Sequence, residues 1–169
     1  TVIRNDARVT LITTRDEKAL DIMRHSAAHV MAQAVLRLYP DAKLTIGPVV
    51  EDGFYYDIDM PPVSEEDLVK IEAEMGKIVK AKLPIRRREV SKAEALEFYK
   101  NEPYKLEMIQ DLEDGRISFY SQEEFTDLCR GPHVGNTKQI AEICLAIAMA
   151  AVGLGTSIRG LVSIGLKPL

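Results

Sequence analysis

At 169 residues, with 46% apolar residues and a formal net charge of -4, the chain has the make-up of an ordinary soluble domain able to bury a core. That balance argues against a broadly basic, nucleic-acid-coating surface, and two cysteines are too few for a disulfide framework, which fits a reducing cytoplasm. Charges run through residues 1–16 where a signal peptide would need an apolar stretch, and no apolar run reaches the roughly twenty residues of a membrane helix.

Residues 7–14 alternate loosely and are rich in β-branched side chains, which predicts a strand. Asp16 or Thr14 then offers an N-cap, and apolar residues from Leu20 to Leu38 recur at helical spacing until Tyr39-Pro40 stops the run. His25 and His29 fall in the middle of this helix, one turn apart on one face. Ser26, Ala27 and Ala28 between them are small enough to let a substrate or a sheet approach.

Residues 43–60 predict a hairpin, with strands over 44–50 and 54–59 and a turn at Glu51-Asp52-Gly53 where glycine suits a positive φ. Phe54, Tyr56 and Ile58 share one face of the second strand, and Tyr55, Asp57 and Asp59 the other. Either tyrosine is a hydroxyl donor to a site or a packing residue with a wet tip. Ser64 with Asp67 caps a helix to about Ala81, and Lys82-Leu83-Pro84 ends it. A strand over 85–90 carries Arg86, Arg87 and Arg88, a patch that either meets a phosphate backbone or is a solvated face. Short helices follow Ser91 and Pro103, and residues 116–120 read as a further strand.

Cys129 and His133 are again four apart, but Gly131-Pro132 between them rules against a helical path, so they are expected at a strand end and in the loop after it. The chain has three histidines, and all fall in the two blocks His25-x-x-x-His29 and Cys129-x-x-x-His133. A single histidine on a helix is more often a core or surface residue than a ligand. If the fold brings the blocks together, a three-His, one-Cys cluster results, able to bind zinc or to position and deprotonate a water. Strands and helices without βαβ alternation predict an α+β fold, with the site built on a sheet-plus-helix frame.

Four motifs in this order, RHSAAH at residues 24–29, IGPVVEDGFYYD at 46–57, EPYKLEMI at 102–109 and DLCRGPHV at 127–134, resemble the second N-terminal domain of bacterial-type threonyl-tRNA synthetase. That is the editing domain, which hydrolyses mischarged Ser-tRNA(Thr) and is related to the alanyl-tRNA synthetase editing domain and the AlaX proteins. The resemblance implies an antiparallel sheet packed against the long HxxxH-bearing helix, with additional helices, and an ester-hydrolysing deacylase within a threonyl-tRNA ligase, with His25, His29, Cys129 and His133 as the editing site and Tyr56, Lys105 and Asp127 supporting it. It implies as partner the acceptor end of tRNA(Thr) carrying serine, alongside synthetase domains outside this chain, and a cytoplasmic location without a membrane. A zinc ion at the same four residues would suit a free-standing AlaX-like deacylase, and a non-catalytic RNA-binding module would need none of them. The resemblance covers residues 7–136. Residues 1–143 are read as the editing domain, and residues 144–169, rich in Ala, Ile, Leu and Gly, as an apolar tail that departs from the family.

Overall fold

In the computed structural model, Asp6, Thr10, Ile12 and residues 16–140 are described. The strand expected over 7–14 lies mostly outside them, and Thr10 and Ile12 within it belong to no element. The boundary and tail expected at residues 144–169 also lie outside them. The described elements are α1 (Glu17–Leu38), β1 (Lys43–Leu44), β2 (Val49–Val50), β3 (Gly53–Phe54), β4 (Ile58–Asp59), α2 (Glu65–Ala81), β5 (Arg86–Val90), α3 (Lys92–Phe98), α4 (Pro103–Gln110), β6 (Ile117–Gln122) and β7 (Phe125–Leu128). All strand pairs are antiparallel, and the fold is α+β. Among the described residues no helix is long and apolar enough to cross a membrane.

Helix α1 is the axis of the molecule. Asp16 stands at its N-cap, and every residue from Ser26 to Val35 is buried. A helix enclosed on all sides needs little amphipathicity, and the alanines at 27, 28, 32 and 34 let its neighbours come close. Helix α2 packs beside it through Ile71, Met75 and Ile78, all within the core that also holds Val30, Met31 and Val35. At the start of α2 Ser64 accepts from the Asp67 amide while Asp67 accepts from the Ser64 amide, the reciprocal cap its spacing predicted.

The expected hairpin forms as two short ladders instead of one. Lys43 pairs with Asp59 and Leu44 with Ile58, but nearer the turn Val49 pairs with Phe54 and Val50 with Gly53, a shift of one residue. Between them the chain crosses Gly47-Pro48, where proline offers no N–H and the Tyr56 ring lies on Gly47 so closely that any Cβ there would collide with it. Glu51 and Asp52 form the turn, and Gly53 is part of β3, not of the turn as expected. The two faces are as expected, with Phe54 and Tyr56 buried and Tyr55, Asp57 and Asp59 exposed.

Strands β5, β6 and β7 form the third sheet, in that order, with Arg88 opposite Phe119 and Tyr120 opposite Asp127. Alternation along β7 puts Phe125 and Asp127, both buried, on one face. Phe125 joins the core around α1, while Leu128 packs on a second apolar cluster of α3, α4, β5 and β6. A buried amide pair ties this sheet to α1, the Gln122 Nε2 donating to Gln33 Oε1 at 2.8 Å. Beyond β7, residues 129–136 cross back over α1, and a 3-10 turn at Thr137–Gln139 ends the described chain against α2.

Candidate active site

The two histidine-bearing blocks meet. Their approach is set by β7, whose continuation is held when the Cys129 amide donates to the Ser118 carbonyl at 3.0 Å. Cys129 Sγ then lies 3.3 Å from His25 Nε2 and 3.2 Å from His133 Nε2, and it accepts the Gly131 amide at 3.2 Å. The ring centroids of His29 and His133 are 4.1 Å apart, and those of His25 and His133 4.3 Å. The Tyr120 ring closes the group at 4.5 Å from His133, and Gly131, at φ 69°, lies against the same tyrosine with no room for a Cβ.

A second layer centres on Asp127, 3% exposed. Lys105 Nζ meets its Oδ1 at 2.6 Å and also donates to the Thr45 carbonyl at 2.8 Å. Tyr56 donates its hydroxyl to Oδ2 at 2.7 Å, and His29 Nε2 lies 3.7 Å from the same oxygen. Helix α4 supplies Lys105, the irregular hairpin supplies Tyr56 and Thr45, and β7 supplies the carboxylate. All seven residues expected from sequence are therefore neighbours. Tyr56 is committed to Asp127, so its phenol is not a free donor, and burial with the adjacent carboxylate pushes its pKa well up.

Burial also sets the protonation of the first layer. His25 is lowered by desolvation, against which Asp127 and the Pro132 carbonyl act. His29 is lowered well below the usual range by burial, His25 and Lys105, and His133 is pushed down to about 2 by burial and its two histidine neighbours. The Cys129 thiol is pushed up to about 11, mainly by burial. At neutral pH the cluster is three neutral imidazoles and a thiol, rich in lone pairs and without net charge.

These residues also fit a zinc-type ion. Their four donor atoms lie within 4.8 Å of one another, nitrogen and sulfur are zinc's preferred donors, and His29 Nδ1 is buried with no hydrogen-bond partner. A tetrahedral site needs donors about 3.5 Å apart, close to the Cys129–histidine distances.

Two further residues carried no signal beyond small size or packing. Ser26 on α1 contacts His133 Nδ1 at 3.1 Å, and Tyr120 covers that ring. For Ser26 the only cue was its position between two histidines. The arginine run is exposed on β5, with Arg87 opposite Tyr120 and paired to Glu89, Arg88 paired to Glu94, and Arg88 resting on the Phe119 ring.

Residues 117–159 match the family described as the threonyl and alanyl tRNA synthetase second additional domain. The chain is 63% identical over 159 residues to a threonine--tRNA ligase of Desulfatibacillum aliphaticivorans, covering 94% of this chain and 25% of that protein. It is 65% identical over 138 residues to that of Desulforapulum autotrophicum, covering 82% of this chain and 22% of the relative. The ligase of Thermotoga maritima is 52% identical over 139 residues, covering 80% and 22%. The chain thus spans about a quarter of the length of the curated relatives it matches. In sequence it resembles the segment of threonyl-tRNA synthetase that includes the second additional domain, as the order of its four motifs led us to expect.

Proposed function

We propose that this chain is the editing domain of a threonyl-tRNA synthetase and hydrolyses the ester of serine misattached to tRNA(Thr). The observation that carries the reading is the convergence of His25, His29, Cys129 and His133 on one point, backed by the buried Asp127, Lys105 and Tyr56. The chemical need is plain. Serine keeps the hydroxyl by which threonine is recognised and loses one methyl, a difference worth only about 1–3 kcal/mol to a binding pocket. A second site that destroys the serine ester supplies the missing discrimination.

Ester hydrolysis needs an oriented water, a base to take its proton and a donor for the charge that develops on oxygen. Neutral imidazoles provide the lone pairs. His25 is the best placed base, because Asp127 and the Pro132 carbonyl both favour its cation. His29 and His133, held neutral more firmly, orient the water. Lys105 spends its charge on Asp127 and fixes that carboxylate, which in turn faces His29. A zinc ion held within this donor set, with one coordination position left open to the water, would supply Lewis-acid polarisation; the fit of the donors and the orphaned His29 Nδ1 support this second reading.

The test is release of amino acid from Ser-tRNA(Thr), Ala-tRNA(Ala) and Thr-tRNA(Thr), each with and without chelator. Hydrolysis of the seryl ester alone is expected. No hydrolysis of any of the three would leave an RNA-binding role, hydrolysis of alanyl-tRNA would point to an AlaX-like enzyme, and loss with chelator would establish the zinc reading.

A further inference from the structure

We propose that Ser26 is a positioning residue that locks His133 in its Nδ1–H tautomer, so that Nε2 turns a lone pair toward Cys129. Three contacts of one hydroxyl carry the argument. Ser26 Oγ donates to the Ile22 carbonyl one turn earlier at 2.8 Å, accepts the Val134 amide at 3.1 Å and stands 3.1 Å from His133 Nδ1. A hydroxyl has one hydrogen and two lone pairs. The carbonyl can only accept and the amide can only donate, so the hydrogen and one lone pair are spent, and the place left for His133 is that of a donor.

Nδ1 therefore carries the ring proton. In a neutral imidazole Nε2 is then the acceptor, and it lies 3.2 Å from Cys129 Sγ, at the centre of the cluster. With the other tautomer the proton would point into that centre, against a sulfur that already receives the Gly131 amide, and the lone pair would be turned away toward α1. Ser26 is wholly buried, and its contacts span more than a hundred residues of chain, so the same hydroxyl also fixes the distance between the two blocks. The consequence for hydrolysis rests on the function proposed above, whereas the tautomer does not.

With three histidines in the chain, long-range nitrogen-15 NMR of the chelator-treated, histidine-labelled protein resolves each ring, and a His133→Ala sample identifies the one at issue. The wild type and Ser26→Thr, which keeps the hydroxyl, are expected to show the Nδ1–H form. Ser26→Ala is expected to shift the ratio toward Nε2–H by about fivefold, the equivalent of one lost hydrogen bond. A role in packing alone would leave that ratio unchanged. An Nε2–H ring in the wild type, or an unchanged ratio in folded Ser26→Ala, overturns the proposal. Should Ser26→Ala not fold, the wild-type spectrum decides. Absence of deacylation by the wild type would count against the proposed function and leave the tautomer result standing.

Discussion

Lys105 and Asp127 meet at 2.6 Å in a place from which water is nearly excluded, each 3% exposed. Taking both charges out of water is costly, and the pair is sustained by the Thr45 carbonyl on one side and by the Tyr56 hydroxyl and the Leu128 amide on the other. Breaking the pair from one side strands a charge. Lys105→Met is expected to cost about 3–5 kcal/mol in urea unfolding, and Lys105→Met with Asp127→Leu to recover a good part of it. A single variant within 1 kcal/mol of wild type, on the order of a surface pair, would contradict the burial of this charge.

His25→Ala, His29→Ala and His133→Ala are each expected to slow seryl-tRNA(Thr) hydrolysis by about a hundredfold or more, the scale of positioned acid–base groups. Circular dichroism should show each folded. Near-normal rates in any two would remove the cluster from the reaction.

Cys129 is expected to form no acyl-enzyme. Its thiol is pushed up to about 11 by burial, which leaves little thiolate at neutral pH, and it already accepts the Gly131 amide. Acid-quenched single turnovers with labelled serine should leave the protein unlabelled. Stoichiometric label that hydroxylamine releases and Cys129→Ala abolishes would reverse this assignment.

Acid should unfold the protein through its histidines. Their folded pKa values lie below the unfolded value of 6.5, His133 at about 2, so the unfolded chain binds more protons between those limits. Stability is thus fully present above pH 6.5 and falls as the pH drops toward the folded value. The limiting slope is about 1.4 kcal/mol per pH unit for each histidine held neutral. Urea midpoints between pH 7 and about 5 should fall steeply in the wild type and less steeply in His133→Asn. Equal slopes would show that His133 is not held neutral.

The isolated chain is expected to bind tRNA weakly and with strong salt sensitivity. Its net charge is -4, and two arginines of the β5 patch are already paired with Glu89 and Glu94. Nanomolar binding that survives raised salt would contradict this.

What sequence alone determined here is what neighbours within one turn or one strand determine. The apolar period of α1, the Ser64–Asp67 cap and the placing of His25 and His29 on one helical face depend on residues three or four apart, and each is in the structure where the spacing put it. The alternation that buries Phe54 and Tyr56 is equally local. The hairpin marks the limit. Its one-residue shift falls where the Tyr56 ring lies on Gly47, and the hydroxyl of that ring is bonded to Asp127, 71 residues on, a contact that no local pattern announces.

The rest was decided by tertiary structure. HxxxH and CxxxH each describe half a site, and nothing local says that they face one another. Cys129 reaches His25 across 104 residues because β7 pairs with β6, and the chain beyond β7 returns over α1. The depressed basicity of the histidines, the commitment of Tyr56 to Asp127 and the three-way use of the Ser26 hydroxyl are likewise invisible in a list of residues. Desolvation and hydrogen-bond saturation belong to the packed environment of an atom and not to its residue type.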